Sequence, residues 1–171
     1  MTLVLFLAII FVALLIIFTF FNFFSFFQGA PFVPTTRTNL HIMLDFANLK
    51  PNERVAEIGS GDGRIVIELA KRGARVDGYE INPVLVLYSI ILIYKHHLQK
   101  KAHIHWISFW NTDFSCFTLV TVYCINRRMG KLENKLLKEL PKGAHVISNT
   151  FSFPNLKPEK TMGKVKLYKI I

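Results

Sequence analysis

The first 36 residues contain no aspartate, glutamate, lysine or arginine. All 21 basic and 11 acidic residues therefore fall between 37 and 171, and so does the whole net charge of +10. Cysteine is scarce as well: only Cys116 and Cys124 occur, with no CxxC spacing. That excludes a zinc ribbon and a dithiol redox centre, and two isolated thiols fit a reducing compartment. No glycine-rich run is followed by the lysine of a phosphate-binding P-loop. There is no internal repeat. The six histidines, at 41, 96, 97, 103, 105 and 145, make no ligand set. His96 and His97 are adjacent and diverge on a helix. His103 and His105 share a strand face but lack a companion carboxylate or thiolate nearby, so no metal is expected.

What the N-terminus has instead of charge is an apolar run, "MTLVLFLAIIFVALLIIFTFFNFFSFF". As a helix rising ~1.5 Å per residue it would reach ~40 Å, more than the ~30 Å hydrocarbon layer of a bilayer. A cleaved leader is a poor fit, because the positive n-region and a small-residue cleavage site are missing. The composition predicts a transmembrane anchor at 1–28, a proline-punctuated linker at 29–37 and a folded domain at 38–171. Basic residues follow the anchor (Arg37, Lys50, Arg54, Arg64) and none precede it. The positive-inside rule then predicts a single-pass membrane protein with its domain on the cytoplasmic, or matrix-equivalent, side. Thr19, Asn22, Ser25 and Gln28 recur every third position. They read either as tolerated interfacial polar groups or as a contact stripe for another membrane helix.

The remaining chain alternates helix and strand patterns. Leu40, Met43, Leu44 and Ala47 have amphipathic-helix spacing, with Thr38 as the expected cap. Short strands are predicted at 54–58, 74–80, 102–107, 117–123, 144–151 and 164–171. The run at 117–123, continuously β-rich, reads as a buried central strand. Helices are predicted after Gly63, after Asn82-Pro83 and over 130–140, the last ended by Pro141 and Gly143. This order predicts an α/β fold with a mostly parallel sheet, helices on both faces and an antiparallel last strand.

In such a fold the ligand sits at the carboxyl ends of the strands. There the sequence places Glu57-Ile58-Gly59-Ser60-Gly61-Asp62-Gly63. Its G-x-G-x-G spacing differs from the dinucleotide fingerprint. Glu57 and Asp62 would repel a pyrophosphate, which wants amides and cations. They suit a ligand with adenosine at one end and positive charge at the other. S-adenosylmethionine has a sulfonium and an ammonium and no phosphate. Glu80, at the tip of the second strand, is placed to accept the ribose hydroxyls, and Ile81 to pack on the adenine.

Residues 54–82 resemble motifs I and II of the class I S-adenosylmethionine-dependent methyltransferases. The likeness extends over about 30–158. Val33-Pro34-Thr35 before the domain and Phe151-Ser152-Phe153-Pro154 near its end are similar to the membrane-anchored protein-lysine N-methyltransferases. Eukaryotic members of that family modify the ATP synthase c-subunit and the adenine nucleotide translocase. The resemblance implies a Rossmann-like methyltransferase fold. It implies cofactor contacts at Thr35, Glu57, Gly59, Ser60, Gly61, Asp62, Gly63, Glu80, Ile81 and Asn82. It also implies them at Ser108, Phe109 and Trp110, with Ser108 standing where the family has Asp or Asn. The implied partner is a protein substrate in the membrane, with lysine as acceptor.

Methyl transfer from a sulfonium is an in-line displacement that needs alignment and a dry site. Asn126, after the fourth strand, is the expected catalytic contact for a neutral amine. The charge of +10 also admits RNA as a substrate. The basic residues are scattered, however, with no aromatic-interleaved patch, so proximity to anionic lipid is the preferred reading and no nucleic-acid partner is expected. A small-molecule acceptor and a non-catalytic cofactor-binding scaffold are likewise compatible with the sequence. Finally, "VLVLYSIILIY" (84–94) carries no charge and is apolar on nearly every helical face. Cover by the preceding helix, a dimer contact, or contact with the bilayer or anchor would each explain it.

Overall fold

The computed structural model describes residues 2–28 and 32–171; within the first helix it describes the side chains of 3–13, 15, 16 and 19. Helix α1 (Thr2–Gln28) is 27 residues long. Its described apolar side chains, Leu3 to Val12 among them, are exposed. Thr19 turns inward on its own helix, its Oγ1 donating to the Leu15 carbonyl at 2.7 Å. The rest of the polar stripe, Asn22, Ser25 and Gln28, lies outside the described side chains. Among the described residues no helix is long and apolar enough to cross a membrane. The expected transmembrane helix is therefore not shown among these residues.

Helix α2 (Arg37–Ala47) begins earlier than the sequence suggests. Thr36, not Thr38, is its cap, accepting from the Asn39 N–H at 3.3 Å. The β-region backbone at Thr36 lets its hydroxyl reach the first turn. Then follow β1 (Arg54–Ile58), α3 (Arg64–Lys71), β2 (Arg75–Glu80), α4 (Pro83–Lys95) and β3 (Ala102–Trp106). A short 3₁₀ turn (Phe109–Asn111) leads to β4 (Leu119–Val122), α5 (Asn126–Glu139), β5 (His145–Asn149), β6 (Lys160–Met162) and β7 (Val165–Lys169).

The strands form one seven-stranded sheet in the order β3-β2-β1-β4-β5-β7-β6. The pairs from β3 to β5 are parallel, while β7 joins β5, and β6 joins β7, antiparallel. Strand β4 is buried at all four residues, as its continuous apolar run predicts. Strand β6 is absent from the sequence expectation because its three residues are all exposed and show no alternation. It forms through pairing with β7 across Gly163, whose φ is +56°. Helix α5 starts at Asn126 rather than 130. Met129, Leu132 and Leu136 sit on one buried face, so tertiary packing carries the helix through Gly130.

Alternating strand residues feed two cores. Val55, Val76, Leu119 and Ile147 face α2, α3 and α4 with Met43, Ile65, Leu69 and Ile93. Ala56, Ile58, Val120 and Val146 face α5 with Met129, Leu132 and Leu136. This period of two makes a three-layer α/β sandwich. Strand order reverses between β1 and β4, which opens a crevice beyond their carboxyl ends.

Candidate active site

That crevice holds a cavity of ≈ 480 Å³, within the ~300–1,000 Å³ range of small-molecule sites. The loop after β1 forms its floor. Gly59 and Ser60 both donate their N–H to the Tyr79 carbonyl, at 3.0 and 3.1 Å. Those two amides are therefore spent on the β2 tip. Gly61 N–H instead donates to Glu80 Oε2 at 3.0 Å. The other Glu80 oxygen accepts from Ile81 N–H and Asn82 N–H, both at 2.8 Å. Glu80 thus binds three main-chain donors, where the sequence suggested a carboxylate held open for ribose hydroxyls. A carboxylate offers about four lone-pair sites, so one direction is left toward the cavity.

Asp62 is the second such case. Its carboxylate pairs with Arg64, Nη2 to Oδ2 at 2.6 Å, rather than waiting for a ligand cation. The same guanidinium donates from Nη1 to the Thr35 carbonyl at 2.9 Å. Thr35 Oγ1 accepts from Asn149 Nδ2 at 3.2 Å, and Asn149 Oδ1 accepts from Asn39 Nδ2 at 2.9 Å. Residues 32–35 are in this way strapped across the cavity wall, between the β1 loop and the end of β5. Gly63 is not among the lining residues. Its φ is +78°, and a Cβ there would meet the Ser89 Cβ at 2.9 Å, so it serves the close packing of α3 on α4. Ser89 is fully buried in an otherwise apolar helix and donates its Oγ to the Gly61 carbonyl at 2.9 Å. A lone serine in "VLVLYSIILIY" was the available signal for this contact.

Glu57 is 1% exposed. Burial pushes its carboxyl up to about 8, and the hydrogen bond donated by Thr121 Oγ1 only partly offsets this. The sequence suggested a standing anion, whereas the group is mostly protonated at neutral pH until a cation arrives. The unfolded carboxyl titrates near 4.5. Between that value and about 8 the folded chain holds a proton that the unfolded chain does not. Stability is therefore expected to fall as pH rises from about 5 to about 8. Glu57→Gln should flatten this slope in denaturant titrations across that window. An equally steep slope in the variant would rule out Glu57 as its source.

Ser60 Oγ is buried against the cavity with no hydrogen-bond partner among the described residues. An orphaned hydroxyl in a wall is unfavourable unless a ligand satisfies it. Together with the anionizable Glu57 and the remaining Glu80 direction, it fits a ligand carrying hydroxyl and ammonium donors. Thr35, Glu57, Gly59, Ser60, Gly61, Asp62, Glu80, Ile81, Asn82, Ser108 and Phe109 all line this one cavity. Trp110 does not: it packs at the second core, with Lys131 Nζ 4.7 Å from its ring centroid. Asn126 does not either; it is exposed as the first residue of α5. Phe32, Leu85, Tyr123, Ile125, Arg128 and Phe151 are among the further residues of the wall, unforeseen. The Tyr123 and Phe151 rings lie 6.4 Å apart beyond β4. Buried Glu133 of α5 accepts from the Asn155 and Leu156 amides and so ties down the segment that follows Phe151. Among the described residues no histidine, cysteine and carboxylate group could hold a metal.

Comparison with known proteins agrees with this geometry. Residues 57–160 match the family model described as the ANTKMT methyltransferase domain. An ATP synthase c-subunit lysine N-methyltransferase of Xenopus laevis is 37% identical over 134 residues, which are 78% of this chain and 59% of that protein. The chain thus spans less than two thirds of that relative's length. A protein-lysine N-methyltransferase of Saccharolobus islandicus is 31% identical over 77% of this chain and 83% of its own length. Among solved structures, an RNA methyltransferase from Salinibacter ruber, in complex with S-adenosyl-L-homocysteine, superposes with a TM-score of 0.76. It is 30% identical and covers 81% of this chain and 94% of its own. With the crevice, the β1 loop and the strap all inside the matched span or beside it, the chain belongs to the ANTKMT methyltransferase domain family.

Proposed function

We propose that this chain is a membrane-anchored, S-adenosylmethionine-dependent methyltransferase that modifies a lysine side chain of a membrane protein. The single cavity wall that gathers Glu57, Ser60 and Glu80 at the switch point carries the reading. The lysine methyltransferases among its relatives supply the substrate class. S-adenosylmethionine, when bound, supplies a methyl group activated on a sulfonium. Glu80 and Ser60 would hold its hydroxyls, Glu57 its ammonium, and Ser108 with Ile81 and Phe109 its base.

The acceptor enters on the side of Tyr123 and Phe151. A lysine titrates near ~10.4 in water and must shed its proton before it can attack. Apolar surroundings favour the neutral amine, and two aromatic walls provide them while still tolerating the methylated product cation. We assign amine placement to this pair rather than to Asn126, which lies outside the cavity wall. An anchor at 1–28 is supported by the uncharged run and by the 27-residue helix it forms. The domain would then stand on the cytoplasmic or matrix-equivalent face.

A second reading, RNA as acceptor, is favoured by the Salinibacter neighbour, which is described as an RNA methyltransferase. One experiment decides between them. The purified chain is incubated with tritiated S-adenosylmethionine and separated membrane and ribosome fractions. Methylated lysine in one small membrane protein is the expected product. Label in RNA would establish the second reading instead. Stoichiometric cofactor binding with no label in any fraction would leave a non-catalytic scaffold.

A further inference from the structure

Helix α4 covers one face of the sheet with Val86, Ser89 and Ile93, which are buried. Its opposite face is apolar too. Val84, Leu87, Tyr88, Ile91 and Tyr94 are 40, 61, 50, 55 and 61% exposed. They stand at i, i+3, i+4, i+7 and i+10, one continuous stripe. Cover by α2, one explanation open to the sequence, is ruled out by this exposure. Trp106 and Ile107, 65 and 42% exposed, extend the patch. The Trp106 indole Nε1 donates to the Ile81 carbonyl at 3.0 Å, at the start of α4. There the patch borders the cavity, because Ile81, Asn82 and Leu85 line it.

Along the segment that carries the patch, charge has one sign, although Glu80 and Asp77 of β2 stand beside Trp106 and His105. No aspartate or glutamate occurs from 81 to 112. Lys95, Lys100 and Lys101 lie exposed at and beyond the carboxyl end of α4. An apolar stripe with tyrosines and a tryptophan, with lysines at its carboxyl end, is the chemistry that an anionic lipid surface recognises.

We propose that the outer face of α4, together with Trp106 and Ile107, seats on an anionic bilayer surface and sets the cavity mouth at the membrane. This docking rests on the membrane reading of the function, but it concerns a surface of the folded domain, and its test separates the two. The bound pose would let a lysine just outside the hydrocarbon layer reach the Tyr123–Phe151 side without leaving the membrane.

The full chain carrying Trp110→Phe has Trp106 as its single tryptophan. It is mixed with vesicles of phosphatidylcholine, alone or with phosphatidylglycerol, in which the acyl chains are brominated. An interfacial face reaches ~5–10 Å into the boundary, so Trp106 emission should fall by about half or more on anionic vesicles. Leu87→Glu with Ile91→Glu, both at exposed positions, should abolish the quenching while circular dichroism matches the parent. Flotation with vesicles but undiminished Trp106 emission would support the anchor and overturn the docking. Quenching on anionic vesicles without flotation on neutral ones would support the docking and overturn the anchor. Equal quenching in parent and double variant, or cross-linking of two copies or of a partner protein through Leu87, would overturn the docking.

Discussion

Gly61→Val is expected to abolish S-adenosylmethionine binding while leaving the sheet intact. The backbone at Gly61 has φ +55°, where a β-branched residue is strained by roughly 1–2 kcal/mol or more. A Cβ there would stand 2.7 and 2.9 Å from two carbons of the Phe32 ring. Phe32 is partly exposed and can swing away. If it does, the strap at 32–35 loosens and the valine methyls fill the space over the loop. If it does not, the loop shifts and Gly61 N–H leaves Glu80 Oε2. Either course costs the ligand its floor, so affinity should fall about a hundredfold or more, on the scale of ~1.4 kcal/mol per factor of ten. Calorimetry with S-adenosylhomocysteine measures it, and circular dichroism checks the fold. A parental dissociation constant in the variant would mean that the ligand lies elsewhere.

Glu80→Ala should weaken binding almost as much, for two separable reasons. It removes an acceptor from the cavity, and it strands the N–H groups of Gly61, Ile81 and Asn82. Hydrogen bonds to a charged group are each worth ~1.5–3 kcal/mol, so one lost ligand contact alone predicts about a ten- to hundredfold loss. The stranded amides add a fall in thermal midpoint that Glu80→Gln should reduce only in part: its oxygen can still accept from Ile81 and Asn82, while its NH2 would face the Gly61 N–H. Calorimetry and thermal melts of both variants separate the parts. Unchanged affinity for S-adenosylhomocysteine in Glu80→Ala would remove Glu80 from the ligand site altogether.

Much of the site could be read before any coordinate. The glycine cluster, the acids at both strand tips and Ile81 stand where local spacing puts them, because a strand, a tight turn and a helix fix one another over a few residues. What misled was the assumption that each acid keeps its carboxylate for the ligand. Asp62 spends its charge on Arg64, and Glu80 most of its lone pairs on amides. The family resemblance points to Trp110, and a place after the fourth strand points to Asn126. Trp110 packs into the second core and Asn126 opens a helix at the surface.

By itself the sequence determined the alternation of helix and strand, the parallel sheet with its buried β4, the glycine-rich loop after the first strand and the uncharged N-terminal run. These depend on periodicity, turn chemistry and composition, all of which act over a few residues. The tertiary structure alone decided which polar groups remain available. Thr35 meets Asn149 across the sheet, Glu57 is buried until its proton stays on to about pH 8, and Ser60 is left without a partner among the described residues. It alone also decided that, among the described residues, α4 buries one face and leaves the other exposed. The reason is competition: a donor or acceptor is claimed by whatever the strand order brings beside it, and strand order joins segments that lie far apart in the chain.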